Sequence, residues 1–410
     1  MSKVIVIGAG PAGIMAAISA SKKHTVILVE KNDKIGKKLF ISGKGRCNLT
    51  NRKDISDFFD YIPGNPNFLY SSLYSFTNED TIEFFTELGV KLKTERGDRV
   101  FPESDKSSDI INALNNELKR RNVDLRLNSE ITDVLTDDKN ITALLFKDNS
   151  ILKGDYFIFC TGGLSYPRTG STGDGLRFSE KLGHTIVKPK PSLVPIVIQD
   201  EWVKELQGLS LKNVELKIIN TKTNKSIYTD FGEMLFTHFG ISGPIVLSAS
   251  NVVHDTLNLI ASVNLKPALT YEELDKRIQK DFSFYANKAF KNSLNDLLPN
   301  KLINVIINLS GIDEDKKVNL ITREERKKLV NIIQNFNMKI SGLRPIEEAI
   351  VTAGGVDTKE IDPSTMRSKI VNNMYFAGEL IDVDAYTGGY NIQIALSTGH
   401  LAGNKVGEVD

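Results

Sequence analysis

The chain has 410 residues, a formal net charge of +1 from 52 basic and 51 acidic residues, and only two cysteines. That length is more than one hydrophobic core serves, so at least two domains are expected. The balanced charge lacks the basic excess that polyanion binding needs, and the clusters Lys31 to Lys38 and Lys119 to Arg121 are short, so nucleic acid is not an expected partner. Cys47 and Cys160 are far apart and form no CxxC pair, which argues against a disulfide framework. The five histidines lack metal-ligand spacing, so no metal is expected. The first apolar run, Val4 to Ile7, is too short for a signal core or a membrane span. The expected compartment is therefore the cytoplasm, with no membrane partner.

In chain order, Val4-Ile-Val-Ile7 is a β-branched run typical of a parallel strand buried on both faces. Gly8-Ala-Gly10-Pro11-Ala12-Gly13 follows, then a helical run from Ile14 to Ser21 and a second buried strand, Val26 to Val29, ending at Glu30 and Lys31. Strand, GxGxxG, helix, strand and terminal acid together form a dinucleotide-binding unit. The first glycine permits the tight turn, the second a close backbone approach to pyrophosphate, and the third close packing of helix on strand. The helix N-terminus adds unpaired N–H groups and a partial positive charge. Glu30 is placed to accept from ribose hydroxyls, and the lack of a neighbouring Arg argues against a 2′-phosphate.

The stretch from Asp54 to Gly89 reads as mostly helical, and Ser107 to Arg121 as a further helix. Short alternating strands are expected at Leu125 to Leu127, Ile131 to Leu135 and Thr142 to Phe146. Tyr156 to Phe159 is a buried strand running into Cys160-Thr161-Gly162-Gly163, and Asp174 to Leu182 a helix. The character changes at Lys188-Pro-Lys-Pro191. Period-two strands then run to about Leu265, and helices such as Tyr271 to Phe282 and Arg323 to Phe336 follow. Near Arg344 the strand-and-glycine pattern returns. The expected fold is α/β: a discontinuous Rossmann-like cofactor domain (1–190 and 343–410), an inserted β domain (191–267 and 337–342) and a small helical insertion (268–336).

Two later segments select FAD over NAD. One is the strand ending at Thr161-Gly162-Gly163. The other is Met374-Tyr-Phe-Ala-Gly378-Glu379, followed by Tyr386-Thr-Gly-Gly389-Tyr390-Asn391 and a helical run from Ile392 to Leu401. An acid such as Glu379 can accept from ribityl hydroxyls, and a helix starting near Asn391 can aim its positive end at the flavin edge that turns negative on reduction. No second strand–GxGxxG–helix unit is present, so NAD(P)H is expected only as a transient reductant.

Gly36-Lys-Lys38-Leu-Phe-Ile-Ser42-Gly43-Lys44-Gly45-Arg46-Cys47-Asn48-Leu-Thr-Asn51 resembles the signature loop of the BaiN-type NAD(P)/FAD-dependent oxidoreductases, in the glutathione-reductase-like flavoprotein superfamily. Phe236 to Pro244, Val351 to Val356, Ala377 to Asp384 and Thr387 to Ala395 resemble further motifs of that family, in order. Lys44 departs from the pattern, where a smaller residue is expected. The resemblance implies a β-barrel-like inserted domain and noncovalent FAD, with Lys38, Ser42, Gly43, Gly45, Arg46, Cys47 and Asn48 around the flavin. It also implies two-electron chemistry on a small organic substrate. One reading is oxidation of a small amine or amino-ketone with oxygen as acceptor; another is NAD(P)H-driven reduction of an unsaturated or keto substrate; a third is flavin binding without turnover. The candidate catalytic residues are Arg168, His238 and Tyr386, with a structural role open for His238 and Tyr386. Cys47 reads as a buried inert thiol. The sequence does not fix an oligomeric state.

Overall fold

The computed structural model describes residues 1–253 and 256–408, which form two compact units. The first comprises Met1–Ser192 and the chain from Pro345 onward; the second is Leu193–Arg344. No described helix is long and apolar enough to cross a membrane.

The first unit is built on five parallel strands: β1 (Lys3–Ile7), β2 (Thr25–Val29), β3 (Asp124–Arg126), β4 (Tyr156–Phe159) and β5 (Met374–Phe376). Their order is β5-β4-β1-β2-β3, so the chain reverses direction of growth between β1 and β4. Ligands of such sheets bind in the crevice beyond the carboxyl ends of the strands at this switch point. Gly8 leaves β1 and Cys160 leaves β4 at that point, with Cys160 N donating to Ile7 O at 2.8 Å.

Helix α1 (Pro11–Ala20) joins β1 to β2 and is buried on every side, as its run of Ala, Ile and Met requires. The C-terminal helix Tyr390–Lys405 lies directly on it. Two glycines make this approach possible: a Cβ on Gly399 would stand 2.2 Å from Ala12 O, and one on Gly403 2.3 Å from Ala16 O. The tail of the chain therefore braces the helix that follows the glycine turn.

The second unit is a closed six-stranded barrel, in the order Ile196–Ile198, Gly240–Ser242, Lys225–Phe236, Ser210–Asn220, Leu259–Asn264 and Phe336–Leu343. Helices Tyr271–Phe284, Asn300–Ser310 and Arg323–Gln334 are inserted between its last two strands. Their inward residues Leu274, Ile278, Leu302, Ile306, Leu329 and Ile333 join the barrel's Leu216, Val263 and Phe336 in one buried cluster. The Rossmann-type sheet is the one the patterning indicated, and the barrel the one the family resemblance implied.

Three local expectations need correction. Leu125 belongs to the edge of the parallel sheet rather than to the antiparallel strands that follow, which form a separate meander (Ile131–Asp137, Asn140–Phe146, Ile151–Lys153). The prolines at 189 and 191 lie inside a strand, Ile186–Ser192, which tolerates them because it has a single partner, Val351–Val356. Phe336 opens a barrel strand instead of closing a helix.

Candidate functional site

The glycine turn has the close geometry its spacing requires. Gly8 has φ +98°, and a Cβ on Gly13 would stand 1.8 Å from Gly8 O. Gly10 differs from both: a Cβ there would meet nothing within 4 Å. Its hydrogen serves no packing need of the protein, and the open space beside it is where a ligand's phosphate backbone approach is required. Pro11 occupies the first turn of α1, where no amide partner is lost, and Ala12 supports Gly378, whose own Cβ would meet Ala12 Cβ at 2.8 Å.

Glu30 is buried and fixes the turn. It accepts from Ala9 N at 2.8 Å through one oxygen and from Asn32 N and Nδ2 at 2.9 and 2.7 Å through the other. Lys31 turns to Asp174, 2.6 Å away, which anchors the Gly173-Asp-Gly175 turn. Asn32 Nδ2 also donates to Thr169 O at 3.1 Å, so the turn carrying Arg168 is tied to the Glu30 end of the site. Arg168 itself is exposed. Beside Lys31 lies a cavity of about 440 Å³, lined by Arg126, Asn128, Ser129, Glu130 and Phe146 among others.

The signature loop is helical from Lys37 to Gly45 with a kink: Ser42 is extended, and Gly43, Lys44 and Gly45 are successively left-handed at φ 56°, 60° and 84°. Cys47 is left-handed again at φ 59°. Such runs turn successive amides into a concave, donor-rich surface suited to electron-rich groups. Asn48 Oδ1 is buried without a hydrogen-bond partner, and a Cβ on Gly45 would meet nothing within 4 Å. Ser42 Oγ is spent on Leu39 O at 2.7 Å.

Arg46 does not stand free to neutralise a ligand. It pairs with Glu95 and with Asp105, 2.8 Å from Nε, and its guanidinium lies 4.3 Å over the Phe101 ring. The hydrogen bonds to Glu95 and Asp105 raise its pKa further. The Cys47 thiol is fully buried and pushed up to about 12 by that burial, which makes it inert at neutral pH.

Four segments meet at Glu379. Lys38 Nζ lies 2.6 Å from Glu379 Oε2 and 2.6 Å from Ser165 Oγ. Ser165 Oγ and Thr352 N donate to the other carboxylate oxygen, both at 2.8 Å. Thr352 Oγ1 in turn accepts from Leu164 N and Ser165 N, and Gly163 has no room for a Cβ against it. Glu379 is thus already engaged on both oxygens, which differs from a carboxylate reserved for ribityl hydroxyls. Ser165 and Thr352 were not singled out by sequence; nearly two hundred residues separate them, and no spacing rule joins them. Thr161 Oγ1 is buried without a partner, and Gly162 is left-handed at φ 73°.

Gly389 caps the C-terminal helix at φ 102° and packs on Thr50 O. Tyr390 is core: its ring stacks on Tyr61 at 4.6 Å and meets Phe58 edge-on at 4.9 Å. Asn391 spends its side chain closing the loop, bonding both Ala385 N and Ala385 O at 3.0 and 2.7 Å. Tyr386 and Ile392 are half-buried on either side of that loop. His238 belongs to the second unit, where it is exposed with its ring against Phe239 at 4.9 Å. Among the described residues no cluster has the makings of a metal site.

The chain matches the HI0933-like protein Rossmann domain family over residues 2–405. It is 33% identical over 97% of its length to the ribosomal RNA dihydrouridine synthase of Haemophilus influenzae, covering 97% of that protein. It is 29% identical over its whole length to all of the 3-dehydro-bile acid delta(4,6)-reductase of Clostridium scindens. In fold it resembles the open conformation of a flavocytochrome c3 fumarate reductase, with a TM-score of 0.52 at 17% identity over 98% of this chain and 78% of that one. An open Gly10, a left-handed amide-rich loop and an orphaned Asn48 carbonyl fit a long flavin dinucleotide. The chain belongs to the HI0933-like family and is an FAD-dependent oxidoreductase.

Proposed function

We propose that the protein reduces a carbon–carbon double bond conjugated to a carbonyl, and that its substrate is a uracil base in RNA. The observation that carries this is the pair of full-length relatives. Making dihydrouridine saturates the C5–C6 bond conjugated to the uracil C4 carbonyl; a Δ4,6 3-oxo steroid presents the same grouping in a carbocycle. The more similar of the two relatives acts on RNA by its name, which favours the base. Amine oxidation with oxygen, the first of the three expectations, draws no support from either name.

In this reading the amides of Gly10, Ala12 and Gly13 hold the pyrophosphate, and Glu30 and Lys31 line the nucleotide end beside the 440 Å³ cavity. The backbone of Gly43 to Gly45, the Asn48 side chain and the first backbone amides of the helix Tyr390–Lys405 hold the ring system. When bound, FAD supplies the two-electron hydride chemistry. Lys38 is held in a fixed place by Glu379 and Ser165, its charge balanced by the carboxylate. The N-terminus of the helix Tyr390–Lys405 adds a positive dipole end that favours developing negative charge. Tyr386 gives the proton to the carbon beside the carbonyl and regains it from water, while NAD(P)H provides the electrons.

The test is the reoxidation of dithionite-reduced holoprotein under anaerobic conditions. Uridine-containing ribosomal RNA should restore the oxidised flavin spectrum and gain two mass units per modified base. Tyr386→Phe should slow this half-reaction by roughly 10²-fold while leaving reduction by NAD(P)H unchanged. Reoxidation by neither RNA nor an enone, together with flavin bleaching by amines, would defeat the proposal.

A further inference from the structure

The near-zero net charge conceals a local basic tract. Between residues 276 and 291 five basic residues face one acidic residue. Most of this tract lies on the helix Tyr271–Phe284 of the second unit, whose Leu274, Ile278 and Phe282 are buried. Lys276, Lys280 and Phe284 follow at four-residue spacing, two positions further on and so on the opposite, solvent face. Phe284 is 81% exposed, an unusual state for a phenyl ring.

Three nearby acids are engaged elsewhere: Asp281 pairs with Arg277 at 2.9 Å, Asp275 with Arg326 at 2.7 Å, and Glu273 caps its own helix through Thr270. Exposed Glu272, four residues before Lys276, is the acid on this face, at its N-terminal end, and it leaves Lys280, Lys288 and the Phe284 ring beyond its reach. Lys276, Lys280 and Lys288 enter no ion pair among the described residues. Lys288 lies 4.6 Å from the centre of the Tyr285 ring. Asn319 N donates to Ala286 O at 3.1 Å, which brings exposed Lys317 and the 61% exposed Leu320 alongside the turn after the helix. The acidic run Asp313 to Asp315 flanks the far end, where Asp315 is paired with Lys291 at 2.7 Å.

We infer that this face is a docking surface for single-stranded RNA. Lysines about 6 Å apart along a helix match a chain of phosphates, and a solvent-facing ring offers a platform on which a base stacks whatever its identity. One phenyl ring and one leucine are too little apolar area for membrane insertion, and unpaired lysines around them favour a polyanion over an apolar protein partner. The inference rests on the RNA reading of the substrate and adds to it a site remote in sequence from every cofactor motif.

The experiment is fluorescence anisotropy of holoprotein with a labelled single-stranded ribosomal RNA fragment between 50 and 200 mM KCl, FAD content serving as the check on folding. In K276Q/K280Q/K288Q the slope of log Kd against log salt should fall by about two, with affinity at the lowest salt at least about tenfold weaker. Phe284→Ala should weaken binding by roughly tenfold without changing the slope. With RNA as oxidant of the reduced flavin, the triple variant should raise KM and leave kcat as it was. A triple variant with wild-type slope, Kd and KM overturns the docking surface even if RNA is reduced, leaving the proposed activity standing. RNA that neither binds nor reoxidises the wild-type protein overturns both. Loss of binding to anionic phosphatidylserine vesicles, with RNA binding intact, also overturns the surface.

Discussion

A methyl group added at Gly399 would stand 2.2 Å from Ala12 O, and one at Gly13 1.8 Å from Gly8 O. The same methyl at Gly342, in the barrel strand Phe336–Leu343, would meet nothing within 4 Å. In the first unit, backbone presses on backbone around the turn that would face the cofactor, and missing side chains set the geometry. In the barrel, backbone presses on backbone at Gly240 and Gly243, but alternating side chains set the strands between: Leu216 and Ile218 point inward from one strand, Ala261 and Val263 from its neighbour. A ligand that must be gripped by amides calls for the first kind of construction; a scaffold relies mainly on the second.

The comparison breaks most visibly at Gly399. Gly399→Val should cost more than about 4 kcal/mol through overpacking against α1, and the protein should purify with little flavin or fail to fold. Gly342→Ala should fall within about 0.5 kcal/mol of wild type and keep its full flavin content. Thermal melting and the ratio of flavin absorbance to protein absorbance check both.

Acid should loosen the two units unequally. His400, on the helix that braces α1, is lowered to about 4 by burial, with Lys22 adding repulsion and Asp80 opposing it. Burial likewise lowers His184, also in the first unit. The unfolded chain takes up a proton on His400 near pH 6.5 and the folded chain does not until about pH 4. Stability is therefore full above the unfolded value and is lost as pH falls towards 4, by up to about 3 kcal/mol for His400. Hydrogen exchange at pH 7 and pH 5 should show protection falling in the first unit more than in the barrel. His400→Phe should reduce the difference.

The smallest effect concerns left-handed backbone. Within the barrel itself such positions fall to Asn213 and Asn224, which tolerate them, whereas the signature loop gives one to Lys44 at φ 60°. Lys44→Gly should stabilise the protein by about 1 kcal/mol, read as a higher Tm of the holoprotein. An unchanged or lower Tm would mean that the lysine side chain makes up for its backbone.

The parts of this molecule readable in advance were those where a ligand or a close approach restricts residue type. Gly8, Gly13, Gly163 and Gly378 announce themselves because a Cβ would collide there, and Gly162 and Gly389 because their backbone is left-handed. Strands were readable because burial on one or two faces leaves a period; their closure into a barrel was implied by the family resemblance alone. What was hidden depends on partners far apart in sequence. The Lys38–Glu379–Ser165–Thr352 cluster joins four segments, Arg46 is claimed by Glu95 and Asp105, and Tyr390 is claimed by Phe58 and Tyr61. Arg46 and Tyr390 read as ligand contacts only while those neighbours are unknown. The basic face of Tyr271–Phe284 was hidden differently: acids elsewhere cancel it in the total.

Gly10 offers the most direct measurement on the cofactor cradle itself. Its φ of −80° is open to any residue, and no protein atom lies within 4 Å of the Cβ it lacks. Gly10→Val should therefore fold with the wild-type circular dichroism spectrum and Tm of the apoprotein, yet bind FAD at least about 10²-fold more weakly, because only the pyrophosphate meets the new side chain. A Gly10→Val protein that titrates with FAD at the wild-type Kd would contradict the placement of the cofactor on the β1–α1 turn.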